Sequence, residues 1–397
     1  MMTPRTTNWA SIVEPDRTAA RRRSAPRAGV LIRAWAIIIL GVAALFGCGP
    51  PEPIRIGFVG GTSGRVADLG IAGRDAVLLA VELRNRAGGV AGRKVELLIR
   101  DDEQKPEVAR RAVRELIDQG VVAIVGPMTS AMAIAVAPIA DEAKVLLMSP
   151  TVSTDDLTGR DDYFFRVVDS TLDNAMRVAR YHLSESSLRR LAAVYDLRNK
   201  SYTESWLNNF RATYVQGGGE VIEALGFESG GETAFLQLAQ DLLAAPADGV
   251  LIVANSMDTA LLCQQIRKLD RRIPIITSEW AATERLIELG GKAVEGMIVA
   301  QNFDRDSTEP RYRAFYQAYR DRFHREPGFG GVLAFDAANV VLDALARRQA
   351  GRSIKETVLA IRRFEGVQEP IPFNEFGEVK RSLYITVVRD GAFVVVK

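Results

Sequence analysis

The sequence predicts an α/β protein of parallel sheets buried on both faces and divided into two lobes. Two observations carry that prediction. From Ile54 onward, apolar runs of strand length alternate with amphipathic helical stretches, and such alternation builds βαβ units. The chain has 397 residues, and the roughly 350 that follow its leader suffice for one large core or, more naturally, two.

The elements follow in order. Arg21, Arg22, Arg23, Arg27 and Arg33 precede an apolar run, Ala34 to Phe46, that is too short and weakly flanked for a stable membrane span. This is the grammar of a secretion signal. Leu45-Phe46-Gly47-Cys48 resembles a bacterial lipobox, although Phe46 departs from the small or β-branched residue usual there. The resemblance implies cleavage of residues 1–47 as a lipoprotein signal peptide and a lipidated Cys48 as the first mature residue. An ordinary signal peptide, or a single anchor with an incidental cysteine, is the alternative. Every version places the rest outside the cytoplasm. Residues 48–53 form a spacer, since Pro50, Pro51 and Pro53 exclude a helix or a central strand.

Loss of residues 1–47 removes seven basic and two acidic residues, leaving 44 basic against 47 acidic. The overall charge of +2 therefore reports the leader, and nucleic acid is not an expected partner. One further cysteine, Cys263, has no internal disulfide partner in the mature chain, so a hydrophobic core must stabilise it.

Strands are expected at Ile54 to Phe58, Val95 to Ile99, Val121 to Val125, Val145 to Met148, Leu191 to Tyr195, Val250 to Val253, Ile273 to Ile276 and Met297 to Val299. Helical faces lie between them, such as Ala76, Leu79, Ala80 and Leu83, or Phe235, Leu238 and Leu242 ahead of Pro246. The tail differs. Leu383 to Val388 and Phe393 to Val396 flank Asp390-Gly391 and read as a hairpin.

Catalytic signatures are missing. His182 and His324 have no second ligand-type residue at metal spacing and read as surface or satisfied helix histidines. Gly57 to Gly61 lacks the dinucleotide-binding glycine order, no phosphate-loop motif occurs, and Ser63 is not in a nucleophile elbow. Neither a metal nor a cofactor is expected.

Polar residues do gather at the carboxyl ends of expected strands, where open parallel sheets bind ligands. Ser130 follows the third strand at a helix start, where free N–H groups suit an anion; Thr129 or Ser130 capping that helix is the plain alternative. Thr151 and Ser153 follow the fourth strand and offer hydroxyls and backbone groups, or form only a loop. Glu279 stands beside Trp280 at another strand end, although an exposed glutamate is usually idle.

Longer blocks carry a specific resemblance. Ile54-Arg55-Ile56-Gly57, Asn85 to Leu97 with its Gly88-Gly89-Val90, Asp101-Asp102, Gly126-Pro127, Ser149-Pro150, Phe165-Arg166, Ala334-Phe335-Asp336-Ala337 and Asp390-Gly391 together resemble the branched-chain amino-acid type of periplasmic solute-binding protein, over essentially all of Ile54 to Lys397. The resemblance implies a two-lobed type I periplasmic-binding fold with three hinge crossings, lobe one being residues 54–169 plus 301–380 and lobe two 170–300 plus 381–397. It implies a non-enzymatic function: hinge closure on an amino acid or similar small polar ligand, and delivery to an ABC permease from a lipid anchor facing the periplasm or cell exterior. A sensing module that signals to a partner protein is the alternative within the fold, and an exported enzyme is the alternative outside it.

The resemblance also implies site roles. Ser130, Ser153 and the backbone near Thr151 would hold an α-carboxylate, Glu279 would pair with an α-ammonium, and Tyr202 would be an aromatic wall from lobe two or a packing residue. Leu69 and Asn255 stand where relatives often carry aromatics, so a more polar or differently shaped side-chain compartment is expected, with Asn255 lining it.

Overall fold

Strand β1 (Ile54–Gly60) lies inside a parallel sheet because both of its faces are apolar. Ile56 and Phe58 point to one core layer and Val59 to the other, as the two-residue strand period requires. The computed structural model describes residues 51–230 and 233–396, so Cys48 and the leader lie outside the described residues.

β1 is joined by β2 (Val95–Asp101), β3 (Ala123–Val125), β4 (Leu146–Ser149) and β5 (Phe164–Arg166) in the order β2-β1-β3-β4-β5, every pair parallel. Helices α1 (Ala67–Arg86), α2 (Pro106–Asp118) and α3 (Ser130–Ala143) make the first three crossovers. Pro106 starts α2 at a position that needs no N–H donor, and Val108, Ala109, Ala112, Val113 and Leu116 give it one buried face. Full burial of Leu116 alone contributes roughly 2 kcal/mol.

The second sheet is larger. Its parallel part comprises β6 (Arg190–Asp196), β7 (Glu220–Phe227), β8 (Gly249–Val253), β9 (Ile275–Thr277) and β10 (Ile298–Gln301). Helices α4 (Thr171–Glu185), α5 (Lys200–Gln216), α6 (Phe235–Ala244), α7 (Ser256–Leu269) and α8 (Glu284–Gly290) belong with it. The chain then returns to the first lobe as α9 (Pro310–Phe323), α10 (Gly328–Arg347) and α11 (Ile354–Ile361), followed by the short antiparallel pair β11 (Arg363–Glu365) and β12 (Pro370–Pro372). Arg322 pairs with Glu82 at 3.1 Å, and Arg325 with Asp75, which ties this segment to α1. Finally β13 (Tyr384–Arg389) and β14 (Ala392–Val395) add an antiparallel hairpin beside β10, giving the order β14-β13-β10-β9-β8-β6-β7. Asp390 and Gly391 turn it with φ of 51° and 71°, the left-handed pair that a two-residue hairpin turn needs.

The backbone thus passes between two lobes three times, after β5, after β10 and before β13. Side chains bind these crossings together. Buried Arg381, on the third, meets Asp336 of α10 at 2.9 Å and Glu369 at 3.1 Å, while its N–H donates to Asp169 of the first crossing at 2.8 Å. Arg166, fully buried just ahead of the first crossing, donates to Thr154 O, Thr158 and Glu378 within 2.9 Å.

Every expected strand occurs, with ends shifted by no more than two residues. Four went unforeseen. β5, β11 and β12 have three residues each, and β7 is an edge strand with half-exposed apolar side chains that give weak alternation. The reading of His182 is also corrected: it is neither exposed nor satisfied, but 1% accessible with both ring nitrogens unpartnered among the described residues. His324 is exposed at the left-handed C-cap of α9, in keeping with a helix-end residue.

Candidate functional site

The carboxyl ends of both parallel sheets face one cleft, so the loops after β3, β4, β6 and β9 converge there. At the first of these, Gly126 adopts φ 118° and passes so near β1 that a Cβ would fall 2.0 Å from Val59 O. Only glycine fits there. Ser149 Oγ donates to Pro127 O at 2.8 Å and accepts from Val152 N–H at 3.2 Å, fixing the β4 loop against the β3 loop.

These loops present hydroxyls of two kinds. Thr129 Oγ donates to Gln104 at 3.0 Å and Thr151 Oγ to Met128 O at 2.6 Å, so both protons are engaged. Ser130 and Ser153 are buried residues that line the cavity, and their hydroxyls make no hydrogen bond among the described residues. Neither Thr129 nor Ser130 caps α3 with its side chain. The Ala131 N–H instead donates 2.9 Å to Asn199 Oδ1, from the loop after β6 in the other lobe. The helix start and the two serines therefore form a donor-rich end suited to an anion.

The other lobe supplies the acceptor. Glu279, 5% exposed, takes hydrogen bonds from Asn174 Nδ2 on Oε1 at 3.1 Å and from Trp206 Nε1 on Oε2 at 2.9 Å. Burial raises its carboxyl pKa above the ordinary range, and these donors oppose the rise. Tyr202, buried on α5, sets its ring edge-on to Trp280 with centroids 5.5 Å apart. Its hydroxyl has no hydrogen-bond partner among the described residues, and burial followed by the nearby Glu279 charge raises its pKa well above the usual phenol value. Tyr202 stays neutral, and its oxygen can accept a hydrogen bond.

Five of the six expected ligand residues, Ser130, Thr151, Ser153, Tyr202 and Glu279, therefore line one cavity. Asn255 does not. It caps α7, accepting from Asp258 N–H at 3.0 Å and donating to Ser229 Oγ at 3.1 Å. Its side chain is occupied by the helix start, a role that an Asn-Ser pair after a strand does announce. Leu69 is present, together with Met128, Val168, Phe329 and Leu333, on an apolar wall. Sequence reasoning missed Asn302, in the second crossing, and the Asn174–Trp206 support of Glu279. Asn302 follows the end of β10 and so carried the strand-end signal unused, whereas Asn174 and Trp206 lie within helices where no local motif marks them.

The cleft is closed. Arg65, following β1, pairs with Asp258 of α7, and Asp68 of α1 accepts from Ser256 at 2.6 Å and Thr283 at 2.5 Å in the other lobe.

Comparison with known proteins agrees with this architecture. A family described as periplasmic binding protein matches residues 53–392. The chain is 27% identical over 248 residues to the Leu/Ile/Val-binding protein homolog 3 of Brucella melitensis, covering 62% of this chain and 66% of that protein. It is 25% identical over 337 residues to the leucine-, isoleucine-, valine-, threonine- and alanine-binding protein of Pseudomonas aeruginosa, covering 83% of this chain and 88% of the relative. A solved leucine-binding protein from Thermotoga maritima superimposes with a TM-score of 0.78 at 26% identity, over 87% of this chain and 98% of its own. The chain belongs to the periplasmic binding proteins, as a type I member of the branched-chain amino-acid family.

Proposed function

We propose that this protein captures an α-amino acid in the closed cleft and presents it to an ABC permease, without turning it over. One observation carries the reading: a single cavity joins two unpartnered serine hydroxyls beside a helix start to a buried carboxylate. A zwitterion needs that pairing, a donor-rich end for its carboxylate and an acceptor for its ammonium. Ser130, Ser153 and the Thr151 backbone hold the first, and Glu279 with Tyr202 holds the second. Closure strips water from both charges, so a ligand lacking either leaves a buried group unpaired and binds weakly.

Lobe one, residues 54–169 with 301–380, and lobe two, residues 170–300 with 381–397, rotate about the three crossings to admit it. The leader exports the chain, and Cys48 anchors it by lipid within reach of its membrane partner. The test is a thermal-shift screen of residues 49–397 against amino acids, amides and small acids. An α-amino acid raises the midpoint by mass action, whereas its deaminated and decarboxylated analogues do not. An equal shift by a simple acid overturns the zwitterion reading.

A further inference from the structure

The two charged poles leave part of the cavity wall unassigned. That remainder is Trp280 and the apolar Leu69, Met128, Val168, Phe329 and Leu333, with three polar side chains, of which Thr129 is engaged by Gln104 and Asn199 by the start of α3, leaving Asn302 without a partner among the described residues. Asn302 follows β10 in the second crossing and is 5% exposed. Its amide makes no hydrogen bond among the described residues, and its Oδ1 is wholly shielded from solvent. The other unpartnered polar atoms nearby, Tyr202 OH, Asn174 Oδ1 and Ser278 Oγ, belong to residues around Glu279 and so to the ammonium end. Asn302 enters from a different element. A buried amide with no partner is costly to the fold, and a carbonyl and an NH₂ together can complement either a hydroxyl or another amide.

We propose that Asn302 selects the ligand by its side chain, and that the ligand is a short α-amino acid bearing one hydroxyl or amide group. The proposal rests on the zwitterion reading above and deepens it. The apolar wall packs the aliphatic part of the side chain while Asn302 exchanges a hydrogen bond with its polar end. A purely aliphatic ligand of the same shape leaves Asn302 unpaired in a dry cavity and is rejected for that reason.

Isosteric pairs test this: threonine against valine, and asparagine against leucine, titrated calorimetrically into the protein and into Asn302→Leu. In the unaltered protein at least one polar member binds tighter than its apolar counterpart by about tenfold or more, and Asn302→Leu abolishes or inverts that ratio. If valine and leucine bind as tightly as their polar counterparts, the proposal fails while the amino-acid reading stands. The unaltered protein decides this even if the variant does not fold. A polar preference that survives in folded Asn302→Leu also overturns the role of Asn302. Binding of none of the four overturns the proposal and the amino-acid reading together.

Discussion

Arg65 and Asp258 form an ion pair of 2.5 Å across the cleft, with the carboxylate fully buried and the guanidinium side chain 27% exposed. Ser229 and Asn255 also donate to Asp258, so the carboxylate is held in place before the lobes meet. Arg65 acts as a latch on a prepared receptor. Replacement by alanine removes a contact made between the lobes and leaves the proposed ligand site untouched. Ligand dissociation then accelerates by about fivefold, equivalent to about 1 kcal/mol for a partly exposed pair, with little change in association. Stopped-flow kinetics reads both rates, and an unchanged dissociation rate would rule the latch out.

Glu279→Ala weakens binding of an α-amino acid by at least ~2 kcal/mol, because the ammonium enters a dry site without its acceptor. Calorimetry measures the loss. Unchanged affinity would sink the ammonium assignment.

His182 makes stability fall in mild acid. Burial lowers its pKa from 6.5 to about 4, so between those values the unfolded chain takes up a proton that the folded chain refuses. The penalty is absent above pH 6.5, grows as pH falls, and is complete near pH 4, at ~3 kcal/mol. Asp102 and Asp196 act oppositely. Burial raises each to about 6, so the folded form holds their protons more tightly and their contribution weakens as pH rises from about 4 to 6. His182→Leu removes only the first effect. Urea denaturation at a series of pH values therefore shows the variant gaining on the unaltered protein below pH 6.5, and parallel curves would contradict the assignment.

Asp336→Ala strands the buried Arg381 guanidinium beside the crossings, leaving Glu369 as its remaining carboxylate partner. The expected loss is about 3 kcal/mol or more. Replacing both partners by leucine and methionine restores most of it, since the pair is worth less than the penalty of breaking it. Chemical denaturation compares the two variants, and equal losses would show that Arg381 is held by other means.

The fold was legible because buried parallel strands are short apolar runs, as at Val250 to Val253, and because their helices carry one apolar face. β7 escaped because a sheet edge leaves Val221, Ala224 and Leu225 half-exposed. The burial of His182 had a signal that went unused: Ala175, Val178, Ala179 and His182 fall on one face of α4. Ser130, Ser153 and Glu279 of the candidate site could be picked out because each follows the carboxyl end of a strand, a place defined by local sequence. Asn199 and Asn302 follow β6 and β10 and carried the same signal unused, whereas Asn174 and Trp206 lie within helices and reach the carboxylate only through tertiary packing.

The hairpin of β13 and β14 has a consequence for biosynthesis. Ile298 of β10 pairs with Val387, and Gln301 with Tyr384, so the second sheet waits for residues 384–387. The first lobe waits too, because α10 must arrive before α1 is covered. A chain emerging from an export channel N-terminus first holds two unfinished cores until β13 is through. A product truncated before Tyr384 would leave the β10 edge open to pairing with other chains, making it a substrate for aggregation and proteolysis and not a weakened binder.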